Sequence, residues 1–420
     1  MNKKLVYYPY PRRKWDNDIV NNIFDNFDLQ PKADIKYDGY INFNESNYKV
    51  KLKKYKLVRV AIKIKNKIRD KIRNKINPLP KFKVEDINKY DSAVISQQFL
   101  KDNNKYKKQY ISYIENSHSI LDYDYTKYYS GKNSKRVKDE IVKSINDKYF
   151  KGFVFYSYRS KIGFYEFYKE IITKDYKFLD VIYPYVKDNT YIDKNIIEAK
   201  SKSIQSDEIN LLYISSMFSL KGGCEIIESF KILRNNYNIK LIIVTEESTI
   251  PNKYENYILE TKDIKILKNN LDGKELNELY SKCHILLHPT FMDSTAIVIM
   301  EALKSGLPVI ATDTFAIPEY IDHGKNGFLI ENPIKYFDLN YNVSEPIDFF
   351  GGKDTAKLID KYKSNNLYNY IIADIIKYTE IILTSYEEYS MNAYEMALNS
   401  EYSEKAIYNK WNNIIEKNLI

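Results

Sequence analysis

The stretch SKCHILLHPTFMDSTAIVIMEALKSGLPVIATDTFAIPEYIDHGKNGFLI, Ser281–Ile330, decides the fold. Ile285–His288 is a short apolar run of strand type, and Val309–Ala311 is a second. Between them Asp293 stands where a helix N-cap belongs, and Ser294–Ser305 has the composition of the helix it would cap. Gly306 ends that helix and Pro308 prevents its resumption. Strand, helix and strand at this spacing make a βαβ unit of a parallel sheet. The helix N-terminus then faces the strand ends at which such folds bind ligands.

Two carboxylates, Asp293 and Glu301, fall at the mouth of this helix and inside it. On one helix they would be separated by roughly 12 Å along the axis and about 80° around it. The hexose and ribose hydroxyls of a nucleotide-sugar are similarly far apart. Carboxylates accept hydrogen bonds from vicinal diols, and terminal amides near Ser294 and Thr295 suit the diphosphate between them. A surface helix with two unrelated acids has the same spacing, so spacing alone leaves both alternatives open.

The neighbouring residues narrow the choice. D-STAIVIM-EALKSGLPVIATD, Asp293–Asp313, resembles a hallmark of family-4 glycosyltransferases: an acid, seven residues, and a Glu opening a run like EAMACGLPVIATD. PEYIDHGKNGFLI, Pro318–Ile330, is similar to that family's PEIVxDGxNGLLV. Upstream, LLYISSMFSLKGGCEIIESFKIL (Leu211–Leu233) and Lys240–Val244 resemble its first C-domain strand, KG loop, helix and second strand. The likeness covers Leu211–Ile330 and is specific in order and spacing, whereas the N-terminal half matches only loosely.

The resemblance implies an α/β chain of the GT-B fold, with two Rossmann-like doubly wound domains facing a cleft. It implies an acceptor-binding domain over 1–190, a nucleotide-sugar donor-binding domain over 191–400, and a last helix, 401–420, crossing back to the first domain. The implied activity is retaining transfer of a hexosyl-type residue from a nucleotide-diphosphate sugar to a glycan or lipid-linked acceptor. Its usual setting is the synthesis of cell-surface polysaccharide, lipopolysaccharide or glycolipid. In such enzymes the leaving phosphate takes the proton of the acceptor hydroxyl on the same face, and no metal or other cofactor is required. Carried over by position, Lys221 and the amides of Gly222, Ser294 and Thr295 are expected at the diphosphate, Glu301 at the ribose and Asp293 at a hydroxyl of the donor sugar. His118 falls near a position where relatives place a histidine beside the transferred sugar.

Two departures bear on activity. The first acid of the family is usually Glu, and Asp293 is one methylene shorter. A Gly-Arg pair usually precedes the KG loop, and Ser215 and Ser216 stand there instead, so the cation that assists Lys221 is missing at Ser216. A non-catalytic relative that binds a sugar nucleotide or scaffolds a synthase complex is therefore the alternative. A GT-B nucleotide-sugar epimerase lacks matching motifs.

At 420 residues, with 44% hydrophobic side chains, the chain has room for two packed domains. Two cysteines, Cys224 and Cys283, argue for a reducing compartment and against a disulfide framework. No apolar run of about 18 residues exists to span a membrane, and the start MNKKLVYYPYPRRKW has too short an apolar run for a signal peptide. A cytoplasmic protein is expected. The net charge of +9 is concentrated in Lys49–Lys75, where thirteen basic residues meet one acid, Asp70, leaving the remainder slightly acidic. Val60, Ile64, Ile68, Ile72 and Ile76 recur every fourth residue, so 50–76 reads as a basic amphipathic helix ended by Pro78. It either packs its isoleucine stripe on its own domain or meets an anionic membrane surface as a peripheral segment. Nucleic-acid binding is disfavoured because aromatic residues are nearly absent there.

Elsewhere, Lys4–Tyr8, Ser92–Ile95, Phe153–Ser157 and Phe178–Pro184 read as strands, and Trp15–Phe27, Tyr106–Glu115, Leu367–Leu398 and Ser403–Leu419 as helices. The PYPRRK turn, Pro9–Lys14, is an exposed basic loop that could present Arg12 or Arg13 to a phosphate. The polar stretch Lys187–Asn210 reads as the domain boundary. His284 and His288 on one strand are about 13 Å apart, too far to share a metal. His288 is placed to line the wall of the site, and His323 reads as an exposed loop residue. Asp122-Tyr123-Asp124 matches a metal motif of another glycosyltransferase fold, but three-residue matches arise by chance in a chain this rich in Asp and Tyr.

Overall fold

The computed structural model describes residues 4–8, 19, 27–29, 79, 81–121, 134–173, 176–204, 208–334, 337–341 and 369–419, and the structural statements concern these. The basic helix expected at 50–76, the PYPRRK turn and Asp122-Tyr123-Asp124 lie outside the described residues. The chain divides into two compact units: Met1–Phe155, Phe167–Asp180 and Asn412–Ile420 form the first, Tyr156–Glu166 and Val181–Trp411 the second.

The first unit is built on strands β1 (Leu5–Tyr8), β2 (Phe27–Leu29), β4 (Ser92–Ser96), β6 (Gln109–Ile114), β7 (Phe150–Phe155) and β8 (Phe178–Val181), in the order β2-β1-β4-β6-β7-β8. The pairs β1–β2, β1–β4, β4–β6 and β6–β7 are all parallel. Two short strands, β3 (Lys81–Phe82) and β5 (Phe99–Leu100), pair apart from this sheet. The helix expected over 106–115 is instead the central strand β6, preceded by a single helical turn at Asn103–Tyr106. Tyr110, Ile111, Tyr113 and Ile114 are all buried. An apolar run buried on both faces of a sheet has lost the alternation that separates strand from helix.

In the second unit, β9 (Ile209–Ser215), β10 (Ile239–Thr245), β11 (Ile264–Lys268), β12 (Ile285–His288), β13 (Val309–Thr312) and β14 (Gly327–Ile330) lie in the order β11-β10-β9-β12-β13-β14. All these pairs are parallel. The chain first winds outward from β9 to one edge, then returns to place β12 on the other side of β9. That reversal is the doubly wound order, and it opens a crevice at the C-terminal ends of β9 and β12. The strands are near-continuous apolar runs because helices cover both faces. Leu211, Tyr213, Leu241, Ile285, Leu287 and Ile310 form part of a core that also takes in Phe230 from the Gly223–Leu233 helix and Ile375 from the Asn369–Thr384 helix.

Local chemistry sets the helix ends. Asp272 and Glu275 form a reciprocal capping box at the start of the Gly273–Lys282 helix. Gly306, at φ 67°, ends the helix before β13 as expected. Its amide donates to the Leu303 carbonyl at 3.0 Å and that of Leu307 to Ala302 at 3.0 Å, the paired bonds of a Schellman stop. The helical segment expected at 367–398 is helical over its described residues, as two helices, Asn369–Thr384 and Tyr386–Leu398, joined at Ser385.

The units part at 180/181 and 411/412, against the expected 190/191 and 400/401. The polar stretch 187–210 resembles a linker in composition, yet Lys194–Ser203 is a helix. Asp193 caps it, accepting from the Ile196 amide at 2.9 Å, and Ile197 is fully buried. Tyr156–Glu166 joins the second unit because Glu319 accepts from the amides of Tyr158 and Arg159 at 2.9 and 2.8 Å, and from the Tyr183 hydroxyl at 2.7 Å. The last helix, Glu404–Asn418, has its residues from Asn412 onward in the first unit.

Candidate functional site

Three loops leave the C-terminal ends of β9, β12 and β13, and they are tied to one another. Gly222 lies in the loop after β9 at φ 81°, and a Cβ there would fall 2.2 Å from the Pro289 carbonyl oxygen, so only glycine fits. The Phe291 amide donates to the Leu220 carbonyl at 3.0 Å. From the third loop, Thr314 donates its hydroxyl to the Thr290 carbonyl at 3.2 Å, joined there by Thr312. Asn332 donates to the Phe291 carbonyl at 3.0 Å and to the Thr314 hydroxyl at 2.6 Å. Backbone that would otherwise be mobile is thereby fixed at the switch point of the sheet.

These ties bring Lys221 and Asp293 together. The Lys221 Nζ lies 2.6 Å from Asp293 Oδ2 and 2.6 Å from the Met292 carbonyl oxygen. His288, at the end of β12, places Nε2 at 3.3 Å from the same Oδ2. Its carbonyl accepts from the Thr290 amide at 2.7 Å, a tight turn that brings residue 293 back over residue 288. Asp293 Oδ1 accepts from the amides of Ser294 at 2.8 Å and Ala296 at 3.1 Å. A carboxylate has about four lone-pair positions, so its acceptor capacity is filled by protein donors. Burial alone would raise the Asp293 carboxyl, but the Lys221 ammonium and the His288 hydrogen bond hold it well below the usual carboxylate range. Burial lowers His288 despite the attraction of Asp293.

The bonds to Oδ1 also change the helix. Expected over 294–305, it runs only over Ile297–Leu303. Asp293 closes a turn on Ser294 and Ala296, and Ala296 takes φ 45°, outside the helical region. Asp293 is thus not an ordinary N-cap, and the Ser294 amide is already donated to it. The axial separation derived for Asp293 and Glu301 on one continuous helix does not apply.

Glu301 lies in the helix, half-buried, and its Oε2 accepts from the Tyr280 hydroxyl at 2.9 Å. Tyr280 reaches it from the Gly273–Lys282 helix, and burial first, then Glu301, raises the phenol well above its ordinary value. Thr295 and Ser294 are buried, whereas Ser216 is exposed. The Gly222 amide makes a long contact, 3.4 Å, with the Ser219 carbonyl of its own loop. Sequence reasoning singled out neither Tyr280 nor the threonine and asparagine ties. Their roles depend on loops distant in sequence, and no local motif marks them.

His118 belongs to the first unit, in the segment following β6. Its Nδ1 is 3.0 Å from the Ser117 hydroxyl, its ring meets Phe167 edge-on at 4.9 Å, and burial pushes its pKa down to about 4. His284 accepts from the Asn210 amide at 3.0 Å. His323 accepts from the Leu329 amide at 3.1 Å. Both cysteines are buried, and neither forms a disulfide. Among the described residues no group of three or more His, Cys, Asp or Glu could hold a metal, and no helix is long and apolar enough to cross a membrane.

Comparison with known proteins finds similarity over the segment that carries this site. Residues 195–348 match the model of glycosyl transferases group 1. The chain is similar to N-acetyl-alpha-D-glucosaminyl L-malate synthase of Bacillus anthracis, 26% identical over 166 residues, covering 38% of this chain and 42% of that one. It is likewise similar to the lipopolysaccharide glucosyltransferase WaaG of Escherichia coli, 28% identical over 147 residues, covering 34% and 38%. The matched stretch therefore spans about two fifths of the length of these curated relatives. The whole fold is similar to that of Anabaena HepE, solved with UDP-glucose, at a TM-score of 0.56 and 14% identity, covering 99% of this chain and 100% of that one. The chain has the GT-B fold, and its residues 195–348 match the model of glycosyl transferases group 1.

Proposed function

We propose that the chain is a retaining glycosyltransferase that moves a hexosyl-type residue from a nucleotide-diphosphate sugar to a glycan or lipid-linked acceptor, in cell-surface polysaccharide or lipopolysaccharide synthesis. The observation that carries this is the Lys221–Asp293 pair at the switch point, 2.6 Å apart, with Glu301 in the helix that follows. Lys221 is the cation for the diphosphate, assisted by the amides of Gly222 and Thr295. Glu301, oriented by Tyr280, accepts the ribose hydroxyls.

The filled carboxylate of Asp293 sets an order of events. The arriving diphosphate draws Lys221 away from Oδ2, and that opens a lone pair for a hydroxyl of the donor sugar. Asp293 thus ties Lys221 to its own loop and contacts sugar only once the diphosphate is seated. In the transfer, the bond from the anomeric carbon to the leaving phosphate breaks as that carbon bonds the acceptor oxygen. The acceptor proton passes to the leaving phosphate. Protein groups position the reactants and stabilise the phosphate charge. No step in this account uses a metal.

Support for a nucleotide-sugar donor comes from HepE, solved with UDP-glucose; support for a cell-surface role comes from the similarity to the lipopolysaccharide glucosyltransferase WaaG. The test is a thermal-shift screen of the purified protein with UDP, GDP, ADP and their sugar conjugates, with and without EDTA. Stabilisation by one nucleotide that EDTA does not alter, together with slow release of nucleotide from its sugar conjugate, is expected. Binding without any release or transfer would favour a non-catalytic sugar-nucleotide binder, for which the exposed Ser216 in place of a second cation is the structural motive. No stabilisation by any nucleotide would overturn both.

A further inference from the structure

His288 is used by nothing in the mechanism above, yet it is only 2% exposed and bonded to the carboxylate at its centre. Asp293 is ionised, so the contact at 3.3 Å requires the proton on His288 Nε2. The other ring nitrogen, Nδ1, is buried and has no hydrogen-bond partner among the described residues. A buried nitrogen left unbonded is unfavourable. A phenylalanine or leucine would pack there without that deficit, so fold alone does not explain a histidine.

The explanation lies in what happens when Lys221 moves. At rest, Oδ2 is held by two donors, Lys221 Nζ and His288 Nε2. When a diphosphate takes Lys221, the Oδ1 side keeps its two amide donors while the Oδ2 side would be left bare in a buried setting. A partly buried carboxylate that loses its cation and its donor together is strongly disfavoured. His288 is the donor that remains. Resting on the donor-binding role of Lys221, we infer that His288 is a positioning residue: it holds Asp293 in place while Lys221 transfers to the phosphates, and so makes the cation available to the ligand.

The test compares two amides. Glutamine at 288 carries its NH2 near the position of Nε2, and asparagine near that of Nδ1, so both are polar and only one reaches Asp293. Titration calorimetry with UDP, GDP and ADP gives the affinity of the full chain. His288→Gln is expected to stay within about threefold of wild type and His288→Asn to lose about tenfold, since a hydrogen bond to a charged group is at stake. Equal affinities in the two variants, with wild type binding normally, overturn the inference and leave the donor-binding role standing. Failure of wild type to bind any of the three nucleotides overturns the donor-binding role and this inference with it. A measurement on the unmutated protein covers variants that do not fold. The 15N NMR signals of His288 should report a neutral ring protonated at Nε2 both free and saturated with nucleotide, with the Nε2 proton moving downfield on saturation. An Nδ1-protonated ring, or signals that nucleotide leaves unchanged, contradict it.

Discussion

At the N-terminal end of β12, His284 accepts from the Asn210 amide at 3.0 Å, and Lys200 gives its ammonium to the Cys283 carbonyl. At the C-terminal end, His288 and Lys221 converge on the Asp293 carboxylate at 3.3 and 2.6 Å. Both ends carry a histidine and a lysine in close quarters. At the first end these two hydrogen bonds go to backbone and the Tyr386 ring packs against both residues, and burial drives His284 down to about 3 and Lys200 to about 8. At the second a charged partner is shared, and the groups that meet on it come from β12 and from the loops after β9 and β12. Perturbed titration is common to both ends and does not distinguish them. Placement at the switch point and a shared ionic partner do.

The strongest way to break this contrast is to remove the two lysines in turn. Lys221→Met is expected to weaken nucleoside-diphosphate binding by about a hundredfold, the scale of a charge-assisted phosphate contact. Lys200→Met should bind normally by the same calorimetry and lose about 1–3 kcal/mol in urea unfolding, the scale of one hydrogen bond from a charged group. Equal effects on binding would erase the distinction between the ends. The two acids sharpen the second end. Glu301→Ala should weaken nucleotide binding about tenfold, while Asp293→Ala should mainly lower turnover in an assay of nucleotide release. If both variants keep wild-type activity, neither assignment stands.

Histidine at the first end gives the smaller effects. His284→Gln should lower stability by about 1 kcal/mol with unchanged nucleotide affinity. Acid should also destabilise the protein in a defined window. His118 and His284 have folded values near 4 and 3, below the ordinary 6.5, so between about pH 6.5 and 4 the unfolded chain binds protons that the folded chain does not. Stability should fall as pH drops through that range, by up to about 1.4 kcal/mol per pH unit for each histidine. Thermal melts from pH 7.5 to 4.5 would show it, with a shallower slope in His284→Gln. Asp293 acts in the same direction in a lower window: its folded value is depressed, so its stabilisation persists through this range and is lost as pH falls below the ordinary carboxylate value.

The second unit was readable because its signals are local. Gly306 and Pro308 mark a helix stop that the Schellman bonds reproduce, and Val309–Thr312 is apolar because it is buried on both sides. The pairing of Lys221 with Asp293 is long-range, and only the family likeness pointed to both residues. Sequence reasoning failed where tertiary bonds override local preference. Asp293 has the identity of an N-cap, but its side chain closes a turn and delays the helix to Ile297. Tyr106–Glu115 has helix-compatible composition, but flanking strands make Gln109–Ile114 a strand. Nothing near His288 in sequence announces its bond, because the Pro289-Thr290 turn that returns the chain over it is visible only in three dimensions.

The most direct test of the central claim, that Lys221 and its loop grip a diphosphate, is a calorimetric series on the unmutated protein. Nucleoside, nucleoside monophosphate and nucleoside diphosphate of the base that binds best would be compared at fixed salt. A gripped diphosphate predicts affinity rising at least about tenfold from monophosphate to diphosphate. Equal affinity across the three, or no binding by any, would contradict the claim.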